Sequence, residues 1–183
     1  MRAKTTRRRL LPGGALALTA LLLAGCSNGG RDYAVPKDLC GVPVPEKALA
    51  PLLPDGKEIQ VSNKEFTLAQ AWITCGVSVD DEYALSAMVI HEDEFHDPMK
   101  NDEGFKVTDK RALKLPFKGA GAIGDLRTKV AVPCGTAEAP NLIAHLTVYE
   151  DTAEKDEEKR RAALRDATLA FVPELKKKLG CTA

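Results

Sequence analysis

The chain has 183 residues, 44% of them hydrophobic and 28% charged, with 26 basic against 26 acidic side chains. Five basic residues and no acidic ones fall in residues 1–25, so a chain cut after that segment keeps 158 residues, 21 basic and 26 acidic, for a formal charge of −5. Such a chain is long enough for one domain with a real core. Its mild acidity argues against nucleic acid or an anionic lipid surface as partner, since both require basic patches.

The first element is Arg2, Lys4, Arg7, Arg8 and Arg9, followed by an apolar run to Leu22 and small residues before Cys26. A basic head, a short apolar middle and small residues at the end make an export signal over residues 1–25. The middle is too short to span a bilayer, which takes roughly 20 apolar residues, and Pro12, Gly13 and Gly14 weaken it as a permanent helix. Leu23-Ala24-Gly25-Cys26 resembles the lipobox of bacterial lipoproteins. That resemblance implies cleavage before Cys26, acylation of its thiol, and anchorage to the bilayer on the extracytoplasmic face of the cell membrane. Thr6-Arg7-Arg8-Arg9-Leu10-Leu11 also resembles a twin-arginine signal, with Leu where Phe is commoner, so the export route stays open.

Residues 26–38 are polar and unpatterned, with Gly29-Gly30 and Pro36, and read as a flexible tether ahead of a single domain at 39–183. Pro45 before Glu46–Ala50, then Pro51 and Pro54, predicts one or two turns of helix. Ile73, Cys75, Val77 and Val79 alternate in a half-buried strand over 70–79. Asp80-Asp81-Glu82 follows as a turn, and residues 83–90 are apolar on both faces, as suits a central strand. The charged segment 91–113 reads as a long surface excursion with room for a short helix. Residues 126–133 and 141–149 are two more strands. Asp151 with Glu154 predicts an N-cap, and Leu164, Ala167, Phe171, Leu175 and Leu179 form the apolar stripe of a long helix. Asp156–Arg160 and Glu157–Arg161 are spaced to pair on it. Pro173 is expected to kink that helix and Gly180 to end it.

Besides Cys26 the exported chain keeps Cys40, Cys75, Cys134 and Cys181, an even number that reads as a disulfide framework. Their wide spacing contains no close pair of the kind that structural zinc sites use. Cys75-Gly76 leads into Ala84–Asp93 much as Cys134-Gly135 leads into Leu142–Asp151: Cys-Gly, a turn, an apolar strand, a ring residue, Glu-Asp. Two similar hairpins in one antiparallel sheet would explain this. The repeat suggests pairing each hairpin cysteine with its nearest outlier, Cys40 with Cys75 and Cys134 with Cys181.

Little in the chain suggests catalysis. His91-Glu92-Asp93-Glu94-Phe95-His96-Asp97 begins like a zinc-protease helix, but that motif needs histidines four apart on one face. Here they are five apart, with Phe95 where the second histidine belongs. A solvated acidic loop is the expectation, with an envelope hydrolase or metal-binding protein using the His91–Asp97 cluster as the alternative. Gly119-Ala120-Gly121-Ala122-Ile123-Gly124 has dinucleotide-binding spacing but no parallel unit around it and Ala at 144, so it is expected to be a turn of small residues. His145 falls mid-strand as a satisfied or edge histidine, and Trp72 is expected to pack on the disulfide of Cys75. No serine sits in a nucleophile elbow. No catalytic residue, cofactor or metal is assigned.

The layout is a lipobox, a tether, Cys40-Gly41 before a short helix, Trp72-x-x-Cys75, Ile123-Gly124-Asp125 before a strand, and a helix ending Leu179-Gly180-Cys181. It resembles small actinobacterial cell-envelope lipoproteins of unassigned function. The resemblance implies a surface-anchored, non-enzymatic domain and carries over no binding residue. The expected fold is α+β: an antiparallel sheet of four or more strands packed by a long C-terminal helix. The expected role is to bind a protein partner or small ligand at the cell envelope.

Overall fold

A computed structural model describes residues 30–62, 64–100 and 105–183. The signal segment 1–25, the lipidation position Cys26 and residues 27–29 lie outside the described residues. From Arg31 on, the segment expected to be a tether lies against the domain instead. The Arg31 guanidinium donates to the carbonyls of Ala50 (3.0 Å) and Leu53 (2.6 Å), and the Tyr33 hydroxyl donates to Pro54. Tyr33 and Val35 also pack on the core. A polar segment with one arginine and one tyrosine can still be fastened by the free carbonyls of a short helical turn.

Strands β1 (Asp38–Leu39) and β2 (Val42–Pro43) form a two-stranded ribbon. Its turn is Cys40-Gly41, with φ of 52 and 78, the doubly left-handed geometry of tight hairpins. Helix α1 (Glu46–Leu49) follows Pro45 and tightens into a 3-10 turn at Ala50–Leu52 that buries Leu49 and Leu52.

The described residues then build one antiparallel sheet from β3 (Ile59–Val61), β4 (Trp72–Val79), β5 (Glu82–Glu92), β6 (Arg111–Ala112), β7 (Ala120–Ile123), β8 (Arg127–Pro133) and β9 (Asn141–Val148). Its order is β3-β4-β5-β9-β8-β7-β6, so β5 and β9 are central, as the two-sided apolar pattern of β5 requires. Helix α2 (Glu157–Lys178) covers one face. The architecture is α+β. Short Gly119–Gly124 is not merely a turn: Ala120–Ile123 pairs with Thr128–Ala131 as β7, because small residues allow close approach of Leu113 over Gly121.

The two hairpins β4–β5 and β8–β9 differ in how they close. The first closes on Asp80-Asp81, with φ of 49 and 67, while the second is joined through residues 134–140. Cys75 sits in mid-strand opposite Ala87, whereas Cys134 lies beyond β8 with its N–H on Pro140. Cys40 is bonded to Cys75 (Cα–Cα 6.1 Å), tying the ribbon to β4, and Cys134 to Cys181 (4.4 Å), tying the chain end to β8.

Side chains alternate across a sheet, so register assigns each face. Cys75, Ala87, Leu146 and Thr128 form one transverse row toward α2, and Ile73, Val89, Ala144 and Val130 form the next. The Thr128 hydroxyl meets that of Thr168 on α2 at 2.7 Å, fixing the helix to this face. Leu164, Ala167, Phe171 and Leu175 are fully buried there, and Phe171 meets Phe66 edge-on at 5.7 Å.

Helix α2 begins later than Asp151 and Glu154 suggest. Its N-cap is Asp156, whose carboxylate accepts from the Lys159 N–H at 3.1 Å. Asp156 is therefore spent on capping, and Arg160 turns instead to the carbonyls of Asp125 and Glu154. The Glu157–Arg161 pair does form, at 2.8 Å, and Arg161 also binds Asp125. Pro173 lies within the continuous helix. Gly180 (φ 69) ends it: its N–H bonds Lys177, and the Cys181 N–H reaches back to Lys176, the double bond of a Schellman cap.

Candidate functional site

The sheet face away from α2 is covered over one half and open over the other. Its covered half is built from Met88, His145 and Lys129, one transverse row that is 7%, 2% and 4% exposed. The cover comes from described residues of the 91–113 segment, which is therefore not wholly a free excursion. Val107 is buried, and the Phe105 ring stands edge-on over His145 with centroids 5.6 Å apart.

His145 is thus not an edge histidine. It sits in central β9, and among the described residues neither ring nitrogen has a hydrogen-bond partner. Burial, and then the positive charges of Lys129 and Arg127, push its pKa from 6.5 to about 3; the Thr128 backbone opposes this weakly, without bonding geometry. The ring is neutral at any physiological pH. Being shut under Phe105, it cannot serve as a base for a bound molecule.

The open half begins one row over. Gly76, Ser86, Thr147 and Arg127 line up across β4, β5, β9 and β8, all on the same face. Beside them Gln60, Ser78 and Tyr83 form the next row. Tyr83 is 62% exposed and Tyr149 37%, and their rings stack at 5.5 Å with a 30° interplanar angle. The Tyr83 ring lies over Gly76, where a Cβ would meet it at 3.4 Å, and the Tyr149 hydroxyl donates to Ser86. A groove of about 470 Å3 runs between this stack and Ser62, Thr74 and Ser78. Trp72 borders the adjoining hollow and is 64% exposed. It does not pack on the disulfide as expected, because it is odd by one position to Ile73 and Cys75 and so faces the opposite side of the sheet.

Tyr149 has a second cleft on its other side, of about 620 Å3, walled by Leu126, Arg127, Thr147 and Arg160 and rimmed by Lys106 and Lys155. Arg127 is held at three points. Its Nε donates to Thr147 Oγ1 at 2.8 Å, its guanidinium lies 5.4 Å from the Phe105 ring centre, and its stem is half-buried beside β9. Burial lowers its pKa, though not enough to neutralise an arginine. Among the described residues Arg127 makes no ion pair.

The residues singled out for metal chemistry do not converge. His91 lies at the α2-facing end of β5 beside Leu142, with its pKa lowered by burial, while His96 is in the covering segment. Among the described residues no group of three or more His, Cys, Asp or Glu side chains is placed to hold a metal ion. No described helix is long and apolar enough to cross a membrane. Comparison with known proteins adds no assignment: no family model, no curated protein and no solved structure matches the chain.

Sequence reasoning missed the Tyr83–Tyr149 pair and Arg127. One signal was present: Tyr83, Tyr149 and Trp72 stand at the polar phase or the ends of their strands, where a core aromatic would not be. Their convergence depended on the β5–β9 register, which alternation alone does not give.

Proposed function

We propose that the protein is a membrane-anchored extracytoplasmic lipoprotein, acylated at Cys26, that binds without catalysis on the open face of its sheet. The observation that carries this reading is the exposed Tyr83–Tyr149 stack beside a row of hydroxyl side chains. Exposed aromatic pairs rimmed by polar groups mark interaction surfaces, because a tyrosine offers a large rigid apolar face at small entropic cost. Ser62, Thr74, Ser78 and Ser86 can each donate and accept, so the groove suits a small polar ligand better than an apolar one. A binding role is favoured over catalysis because the nearest imidazole is sealed under Phe105 and the Ser86 hydroxyl faces a phenol, not a base.

Native mass spectrometry of the full chain carrying Cys26→Ser, released from its own cells, tests both parts. The substitution should move the protein from the membrane fraction to the soluble one. The released protein should carry an extra mass, which Tyr83→Ser with Tyr149→Ser should remove. A membrane fraction unchanged by Cys26→Ser would sink the anchor. A bare mass, with no crosslink from this face to any partner, would sink the binding role.

A further inference from the structure

The cleft beside Tyr149 has a chemistry of its own, distinct from the hydroxyl-lined groove. Four cations line it, Lys106, Arg127, Lys155 and Arg160, against the carboxylates of Asp125 and Glu150. Asp125 is already committed to the buried guanidinium of Arg161. Arg160 and Lys155 donate to backbone carbonyls, which hold their heads in place without cancelling their charge. A chain with as many acidic as basic residues has thus gathered, among its described residues, an excess of positive charge in one concave place, the arrangement that draws and holds an anion.

Arg127 is the group arranged to receive it. With Nε fixed on Thr147 Oγ1 and the guanidinium plane backed by Phe105, the side chain has surrendered its rotamer freedom before any ligand arrives. Neither terminal nitrogen has a hydrogen-bond partner among the described residues, and a guanidinium presents them as a fork that fits two oxygens of one oxyanion. Leu126, Val148 and the Tyr149 ring supply an apolar wall for the body that carries the anion.

We infer that this cleft binds a phosphate ester, with the phosphoryl oxygens on the Arg127 fork and the Lys106, Lys155 and Arg160 charges around them. The inference rests on the reading of the open face as a binding surface and names the class of ligand at one end of it. A phosphate ester could be a soluble metabolite or a lipid headgroup, and the two share this chemistry.

Titration calorimetry of the full chain in detergent, with glycerol 3-phosphate as probe, tests the assignment. Saturable binding is expected, weakened at least tenfold by Arg127→Gln and less by Arg127→Lys, which keeps the charge but loses the fork. Arg165→Gln, at an exposed arginine paired with Asp166 away from the cleft, should leave binding unchanged. Should Arg127→Gln fail to fold, Lys106→Gln with Lys155→Gln at the exposed rim must give the weakening. Reconstitution with phosphatidylglycerol vesicles locates the source: competition by vesicles assigns the phosphate to lipid, and its absence assigns it to a soluble ester. No saturable phosphate binding by the wild-type chain, or equal binding by the Arg127 and rim variants, would overturn the inference. The Tyr83 and Tyr149 ligand could then still be captured, so failure here is distinguishable from failure of the binding role.

Discussion

A single imidazole carries much of the pH response expected of this protein. His145 has an ordinary pKa of 6.5 when unfolded and about 3 when folded, because burial and two cationic neighbours both oppose its charged form. The folded state therefore binds the proton less well than the unfolded state. Its contribution to stability is complete above about pH 6.5 and is lost as the pH falls toward 3. At about 1.4 kcal/mol per pKa unit, the full loss is on the order of 5 kcal/mol, an upper figure. His145→Leu removes the titration and also two unpartnered buried nitrogens, so at pH 7 the variant should be as stable as the parent or more so. Urea midpoints at pH 7 and pH 4 check this: the wild-type midpoint should drop by clearly more than that of the variant. Equal drops would place acid sensitivity in the carboxylates instead. Among the described residues, Phe105, Met88 from β5, and Lys129 and Arg127 from β8 lie around His145, and none of these can neutralise an imidazolium.

At the scale of elements, strands were legible where alternation was strict, and the helix where its stripe ran long. Both strands of the β4–β5 hairpin, and β8 and β9, fall within a few residues of where Ile73–Val79 and the apolar runs placed them. What periodicity could not supply was competition between equivalent caps. Asp151 and Asp156 both precede turns that carry glutamate, yet only Asp156 stands where its carboxylate meets an N–H of the first turn, and residues 150–156 are a separate turn held by Tyr149. Asp156→Ala should thus cost about 1 kcal/mol, as lost N-caps do, while Asp151→Ala should cost next to nothing. Thermal melts of the two variants decide the matter, and a larger loss for Asp151 would move the helix start. The covering segment 91–113 was illegible for a related reason. Its apolar side chains, Phe95, Phe105 and Val107, have no period, and their burial or exposure depends on which part of the sheet face they cross.

The whole molecule is a sheet whose two ends are stapled to pieces outside it. Cys40–Cys75 closes a separation of 35 residues and fastens the β1–β2 ribbon; Cys134–Cys181 closes 47 and fastens the end of α2. By chain entropy alone the two are nearly equal, because the cost grows only with the logarithm of loop length: each contributes about 4 kcal/mol as an upper figure. Non-covalent support separates them. The chain end beyond α2 is also held by the N–H groups of Thr182 and Ala183 on the Cys134 carbonyl and by the Gly180 cap. Those bonds persist in Cys134→Ala with Cys181→Ala, so that pair of substitutions should act by freeing the unfolded chain and by emptying the single buried position at Cys134. The ribbon has its own fastenings in Val42, Val44 and Leu39, which are buried against the core, and Cys40→Ala with Cys75→Ala leaves a void at two positions that are 4% and 0% exposed, where its counterpart leaves one, at Cys134, beside the half-buried Cys181. That variant should lose more stability than its counterpart, by the cavity cost of sulfur atoms replaced by nothing. Urea unfolding of both double variants measures the difference. A larger m-value than the parent in each would place the common part in the unfolded state, and a greater fall in midpoint for the Cys40–Cys75 pair would place the remainder in the core beneath β4. If the Cys134–Cys181 variant instead proved the weaker, the hydrogen bonds at the chain end would depend on the staple and would not support it.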